Sequence, residues 1–354
     1  MVQRSINLFR RFFPALGIAS LSIFPAAHAA FAFEQGATFT LMPGTTMGIP
    51  FANSHSPGLY FYGLANYGTE TLPHDVSPNL GFGSGTIHVD VPDVVPAILW
   101  TTPWMLFGAH YAVLVGQPAA QFKAYGEIPG RGSFSSQGGG LRNTIVTPIN
   151  LSWHLQNGWY VGAGFNTHIP DARTTGINGL DSGGQPYWTL EPTFAVSYLH
   201  DGYDFSATMF YDFYTTNTYS DVTNGQAIYL DLTATKKFGH YEIGPVGYFA
   251  AQTTRDVGGN PMGYLTSRGA INSCDPEPGG FYNYCVRAAK AGVGGMVGYD
   301  FDRGNIAVLV TQSVLSHGQG GQDGWRIWTQ LSFKLYGDGV DPPLKSLLSD
   351  GLFR

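Results

Sequence analysis

The 354-residue chain combines 48 Gly, 20 Tyr and 24 Phe with only 12% charged residues and a mean hydropathy of −0.03. Beyond the N-terminus it has no uncharged apolar run of the ~20 residues that cross a bilayer as a helix, so a membrane form has to cross as strands. Without Arg4, Arg10 and Arg11 it carries 15 basic and 24 acidic residues, a net charge of −9 that repels nucleic acid.

Those three arginines open the chain, followed by the apolar stretch from Phe12 to Ala26 and a small-residue tail. Together they make a signal peptide, residues 1–29, with cleavage after Ala29 or after Ala32. Residues 30–57 are rich in Gly, Pro, Thr and Ser and alternate too weakly to be a strand. They read as an extended leader, either a plug in a lumen or a periplasmic tail. Phe39, Leu41, Met42, Met47, Ile49 and Phe51 favour the plug, because they are too apolar for a free tail.

Strands begin at Gly58. Gly58 to Tyr62 opens the first, and Val91 to Trp100 and Met105 to Val115 are the next two. Ile149, Leu151, Trp153 and Leu155 alternate outward in one strand, and Trp159, Val161, Ala163 and Phe165 in the next. A three-residue loop, Gln156-Asn157-Gly158, sets Trp153 against Val161 and keeps both sets on one face. Leu190 to Phe213 is two strands around Asp201-Gly202, the dipeptide of a two-residue hairpin loop. That loop pairs His200 with Tyr203, Tyr198 with Phe205, Val196 with Ala207 and Phe194 with Met209, giving one wholly apolar face.

Further on, Ile228, Leu230, Leu232 and Ala234 align with Phe249, Gly247, Pro245 and Ile243 across a four-residue loop, Lys237 to His240. Val297, Tyr299 and Phe301 align with Val310, Val308 and Ile306 across Asp302 to Asn305. The last strand runs from Trp325 to Tyr336. These short turns alternate with longer connections, Gly68 to Gly85, Gly116 to Asn143, Ile169 to Tyr187, Thr215 to Gly225, Gln252 to Asn283 and Ser316 to Gly324. The pattern is an all-β, transmembrane, antiparallel up-and-down barrel of about 12 strands over residues 58–336, with residues 337–354 as a C-terminal extension. Short periplasmic turns and long external loops place it in the outer membrane of a Gram-negative bacterium. Its partners there are outer-membrane lipid, lipopolysaccharide and the barrel-assembly machinery. Trp159, Tyr203, Tyr241 and Tyr299 beside short turns, with Tyr211, Phe213 and Tyr214 beside a long loop, are placed for two interfacial girdles.

Export puts Cys274 and Cys285, the only cysteines, in an oxidising compartment, where a disulfide bracing their loop is expected. No His-Glu-x-x-His or Cys-x-x-Cys motif is present, and the glycine clusters at 81–85 and 318–321 lie in loops without a following helix. No catalytic residue, metal or cofactor is implied. Asn150, Ser152 and His154 share the inward face of their strand; they resemble pieces of a hydrolase triad but have no carboxylate or oxyanion donor placed with them, and read as polar lumen lining. The inward acids Glu191, Asp204, Asp212, Asp231, Glu242 and Asp300, with Lys290, line a path or an internal ionic network. Glu191 opposite Asp212 is a costly like-charge pair unless a cation, water or basic group intervenes.

Several segments look familiar: Pro57 to Phe61, the block GGGLRNTIVTPINLSWHLQNGWYVGAGFNTHIP from Gly138 to Pro170, Trp188 to Pro192, Thr216 to Tyr219, and IGPVGYFAAQTTRD from Ile243 to Asp256. In that order the chain resembles the family of outer-membrane proteins named for the meta-pathway of phenol degradation, which is similar to aromatic and hydrocarbon uptake barrels. The resemblance implies passage of small apolar or aromatic compounds by passive diffusion, tied to aromatic catabolism, and brings no catalytic or binding residues with it. A non-transporting structural or enzymatic barrel is the alternative. The chain departs from a usual barrel by continuing past Tyr336 through DGVDPPLKSLLSDGLFR.

Overall fold

The structure, a computed structural model, describes residues 39–71, 86–128, 132–174, 183–218, 221–258, 287–318 and 321–337. Those residues are strand, turn and loop. In chain order the strands are β1 (Gly58–Thr71), β2 (Ile87–Asp90), β3 (Asp93–Leu106), β4 (Ala109–Gly116), β5 (Ala119–Ile128), β6 (Gly132–Leu141), β7 (Thr144–His154), β8 (Trp159–Ile169), β9 (Thr189–His200), β10 (Tyr203–Tyr214), β11 (Val222–Thr223), β12 (Ala227–Phe238), β13 (Tyr241–Gln252), β14 (Val257–Gly258), β15 (Ala289–Phe301), β16 (Gly304–His317) and β17 (Asp323–Gly337). Twelve of them, β1, β3, β4, β7 to β10, β12, β13 and β15 to β17, form a ring that β17 closes against β1, and toward the long-loop end β2 and β5 are paired in between β1 and β3, so that fourteen strands close the wall there, two more than the sequence suggests. Closure leaves this wall with no free edge, the condition for strands in lipid.

The central hairpin follows its sequence. Asp201 and Gly202 take φ of 51° and 77°, and His200 pairs with Tyr203, Val196 with Ala207 and Phe194 with Met209. Phe194 and Val196 are 55% and 42% exposed on the lipid side, whereas Thr193, Ser197, Ser206 and Thr208 are buried inside. Trp153 also meets Val161 as expected.

Two other registers differ from expectation. Lys236 pairs with Ile243 and Phe238 with Tyr241, so the loop is Gly239-His240, with Gly239 at φ 63°. Likewise Tyr299 pairs with Ile306 and Phe301 with Gly304, leaving Asp302-Arg303. Each slip is two residues, so every side chain keeps its face. The tighter turns add ladder pairs and bring Lys237 Nζ within 2.6 Å of Asp300 and 3.6 Å of Glu242, while Asn305 Nδ2 donates to Asp300 at 2.7 Å.

Three more expectations are corrected. The connection from Gly116 to Asn143 contains the hairpin β5–β6, whose β5 joins the wall between β2 and β3 while β6 pairs with β5 alone. Tyr214 is not in a girdle: even positions of β10 face inward, and its hydroxyl donates to Asp212 at 2.7 Å. The leader is not extended between Met42 and Ile49. Thr45, Met47 and Ile49 each donate to the carbonyl three residues back at 3.1 Å, a chain of turns made possible by Gly44 and Gly48 at φ 101° and 76°. Cys274 and Cys285 lie outside the described residues.

Inward glycines make room for large inward aromatics. Gly292 pairs with Tyr248, and a Cβ there would stand 2.5 Å from the tyrosine ring, whereas at Gly298 the nearest atoms are 3.5 Å away. A Cβ at Gly44 of the leader would likewise stand 3.1 Å from the Tyr248 ring. Gly292→Ala is therefore expected to destabilise the barrel by about 1–3 kcal/mol and Gly298→Ala by much less. The temperature at which the folded band disappears in heat-modifiability gels measures both, and equal midpoints would refute the packing argument.

Candidate functional site

The barrel interior is occupied by the leader. Residues 39–48 sit against inward side chains of β9, β10, β12, β13 and β15 to β17. Phe39 packs edge-on against Tyr229 with ring centroids 5.4 Å apart, and Met47 is buried with Tyr248, Met296, Leu309 and Trp328. Polar contacts fix the backbone. Asp231 accepts the Gly44 amide at 2.9 Å with one oxygen, and the Thr46 amide at 2.8 Å and Thr46 hydroxyl at 2.7 Å with the other. Thr233 accepts from Gly48 N at 2.7 Å, Gln330 donates to the Met47 carbonyl at 2.7 Å and Arg142 to the Thr40 carbonyl at 3.1 Å. A buried carboxylate taking three hydrogen bonds from one turn is a strong, directional hold.

Between the leader and the wall made by β1, β3, β4 and β7 runs a cavity of about 710 Å³. Its sides are mainly apolar and aromatic, with Tyr60 and Tyr62 from β1, Leu99 from β3, Leu114 from β4, Ile145 from β7 and Phe51 from the leader. It reaches the short turns at Asp201, Lys237 and Arg303. On the other side of residues 41–45 the neighbouring void is only about 20 Å³, lined by Leu41, Met42, Asp93, Arg142 and His168. A space of that size holds one water. Where the leader joins β1, the His55 ring stacks on Tyr60 at 4.6 Å and shares a hydrogen bond with the Tyr62 hydroxyl.

The inward acids and Lys290 fall into four groups. Glu191 and Asp212 are buried together near the long-loop end: Asn166 donates to Glu191 at 2.5 Å, His168 Nε2 is 3.7 Å from Glu191, and Tyr229 and Tyr214 donate to Asp212 at 2.5 and 2.7 Å. These neutral donors and the histidine surround the like-charge pair. Asp231 anchors the leader, as above. Asp204, Glu242 and Asp300 lie nearer the short turns, where Asp204 bonds to Ser206, Glu242 to Thr235 and Asp300 to Lys237. Lys290 is buried against Glu70, which also lies 3.0 Å from Arg326. The Asn150, Ser152 and His154 set is dispersed: Asn150 borders the cavity, Ser152 donates to the Ala52 carbonyl, and His154 is exposed at the rim, stacked on Tyr160 at 4.4 Å. Among the described residues no three His, Cys, Asp or Glu side chains are grouped to hold a metal ion.

Sequence reasoning missed Glu70 and Arg142, because both were assigned to long connections, and Asp93, His168 and Arg326, whose inward parity is readable on β3, β8 and β17. Arg142 pairs with Asp93 at 3.4 Å.

Residues 65–277 match the model of the family described as "Putative MetA-pathway of phenol degradation". The chain belongs to that family. The fold of this family member is similar to the crystal structure of an outer membrane channel from Pseudomonas putida F1, with a TM-score of 0.58 and 11% identity over 80% of this chain and 97% of that one. The β domain of the Bordetella autotransporter BrkA is more distant, with a TM-score of 0.39 and 9% identity over 79% of this chain and 100% of the other. No curated protein matches the sequence significantly. The closed antiparallel ring, with an even number of strands and no free edge in the wall, is that of an outer-membrane barrel.

Proposed function

We propose that this phenol-degradation family member is an outer-membrane channel that passes small apolar or aromatic compounds by passive diffusion, and that its leader is the plug of the route. The cavity beside the leader carries the reading. Its 710 Å³ would accommodate a small organic molecule, its aromatic lining suits an apolar guest, and residues 41 to 51 of the leader form one of its walls. The family's description and the channel function of the Pseudomonas putida relative support the same assignment. Polar groups along the interior serve to hold the leader and each other, a role that calls for no reaction.

The test is initial-rate uptake of a panel of labelled aromatic compounds by cells lacking the protein and by complemented cells. Uptake is expected to fall on deletion, to rise linearly with outside concentration in complemented cells, and to survive de-energisation. Identical rates with and without the protein sink the proposal, and a rate that collapses on de-energisation sinks passive diffusion.

A further inference from the structure

Twelve strands close the wall at the short-turn end, and toward the long-loop end β2 and β5 insert between β1 and β3 through the β3–β5 pairing, with β6 alongside β5. Above Asn66, β1 leaves β3 and pairs through Thr69–Thr71 with β2, which pairs with β5, and β5 with β6. The outward face of this insert is continuous with the lipid-facing surface. On β1, Tyr67 is exposed and packs edge-on against Trp325 at 5.9 Å, an aromatic pair at the long-loop end of the barrel. Side chains on one face recur every second residue, about 7 Å along the strand. One step beyond Tyr67, the Thr69 hydroxyl donates to Asp90 of β2 at 2.8 Å; two steps on, Thr71 lies 3.2 Å from His88 Nδ1. The same change runs up β6, from exposed Leu141 at its base to exposed Gln137 and Ser135.

The centre of the face is built from cross-strand pairs. His88 pairs with Tyr125 and Asp90 with Lys123. The rings of His88 and Tyr125 lie 5.4 Å apart, Lys123 Nζ sits 5.2 Å from the Tyr125 ring, and the Tyr125 hydroxyl reaches Asp90 at 3.4 Å. Next to them on β6 stand Gln137 opposite Lys123 and Ser135 opposite Tyr125.

From this placement we infer that the outward face of β2, β5 and β6 is a docking surface for the saccharide head of lipopolysaccharide in the outer leaflet. Continuity with the aromatic girdle sets the height: an interfacial Tyr and Trp mark the edge of the hydrocarbon, and the surface immediately beyond meets head groups. The side chains set the chemistry. Lys, Gln and Ser supply donors and acceptors for sugar hydroxyls, and a tyrosine ring offers a flat face to a sugar ring. Lys123 stands opposite Asp90 in the strand register, so the patch carries one charge of each sign and favours neutral hydroxyls over phosphate. A second copy of the chain is a poorer occupant, because the centre of a protein interface is depleted of Lys, Asp and Ser.

The experiment uses the purified full-length protein in detergent and measures binding, by native mass spectrometry and microscale thermophoresis, of full-core lipopolysaccharide, of lipid A and of the released core oligosaccharide. Full-core lipopolysaccharide is expected to bind more tightly than either fragment. Tyr125→Ala, and separately the exposed pair Lys123→Ala with Gln137→Ala, should each weaken it about fivefold to tenfold while leaving lipid A binding and the folded gel mobility unchanged. The second variant serves should Tyr125→Ala disturb the hairpin. Equal affinity for full-core lipopolysaccharide and lipid A overturns the inference, as does unchanged binding in both variants. Oligosaccharide binding as tight as that of the full lipid would make the occupant a soluble sugar and overturn it equally.

Discussion

Deleting residues 39–54 behind an intact signal is expected to raise the single-channel conductance of the barrel in planar bilayers. These residues fill the space between β10, β12, β15 and β17, and their loss joins the 710 Å³ cavity to the volume that Phe39, Met47 and Phe51 occupy. The barrel should survive, because its ring is closed by strand pairs that do not include the leader. A milder change tests the hold itself. Asp231→Ala removes the acceptor of three leader hydrogen bonds, and bonds to a charged group contribute about 1.5–3 kcal/mol each. Even one such loss shifts the seated-to-unseated ratio by roughly tenfold or more, so Asp231→Ala is expected to show brief openings to the level of the deletion. A deletion variant that folds, as judged by heat-modifiable migration, yet conducts like the full chain would exclude a plug.

How much of this was written in the sequence follows from the range of the interactions involved. Parity along a strand is local: side chains alternate with period two, so the faces of β9 and β10 and the inward positions of Glu191, Asp212 and Asp231 were readable. Turn length is local only where the loop residues demand it. Asp201-Gly202 did so through positive φ, whereas Lys237 to His240 left two loop lengths with identical faces. There the choice rests on contacts that join separate hairpins, such as Lys237 on β12 with Asp300 on β15. The β5–β6 hairpin escaped because both its faces are part-exposed, and Gly-Ser-Phe-Ser-Ser-Gln-Gly-Gly-Gly of β6 carries little apolar alternation. The turns of the leader were out of reach for a different reason. Their acceptor, Asp231, lies 185 residues from Thr46, and no periodicity links a turn to a carboxylate on a distant strand.

Val196→Arg is expected to be the most damaging single substitution on the wall, and Asn150→Arg to be mild, although both insert the same side chain into a strand. Val196 stands in β9 between Val161 of β8 and Ala207 of β10, pointing to lipid well away from either end of the strand. A guanidinium there has no partner and no water, and at the bilayer midplane such a charge costs about 2–4 kcal/mol. Asn150 is two strands further round, on β7, and borders the cavity. An arginine at that position can extend into open volume toward Asp201 and Asp300 at the short-turn end, so its head group keeps water and counter-charge. Urea titration of each variant refolded into lipid vesicles gives the comparison, with a lowered midpoint for Val196→Arg and one near wild type for Asn150→Arg. Equal midpoints would mean that the two faces of the wall do not differ in polarity, and that the lumen is not the wetter side.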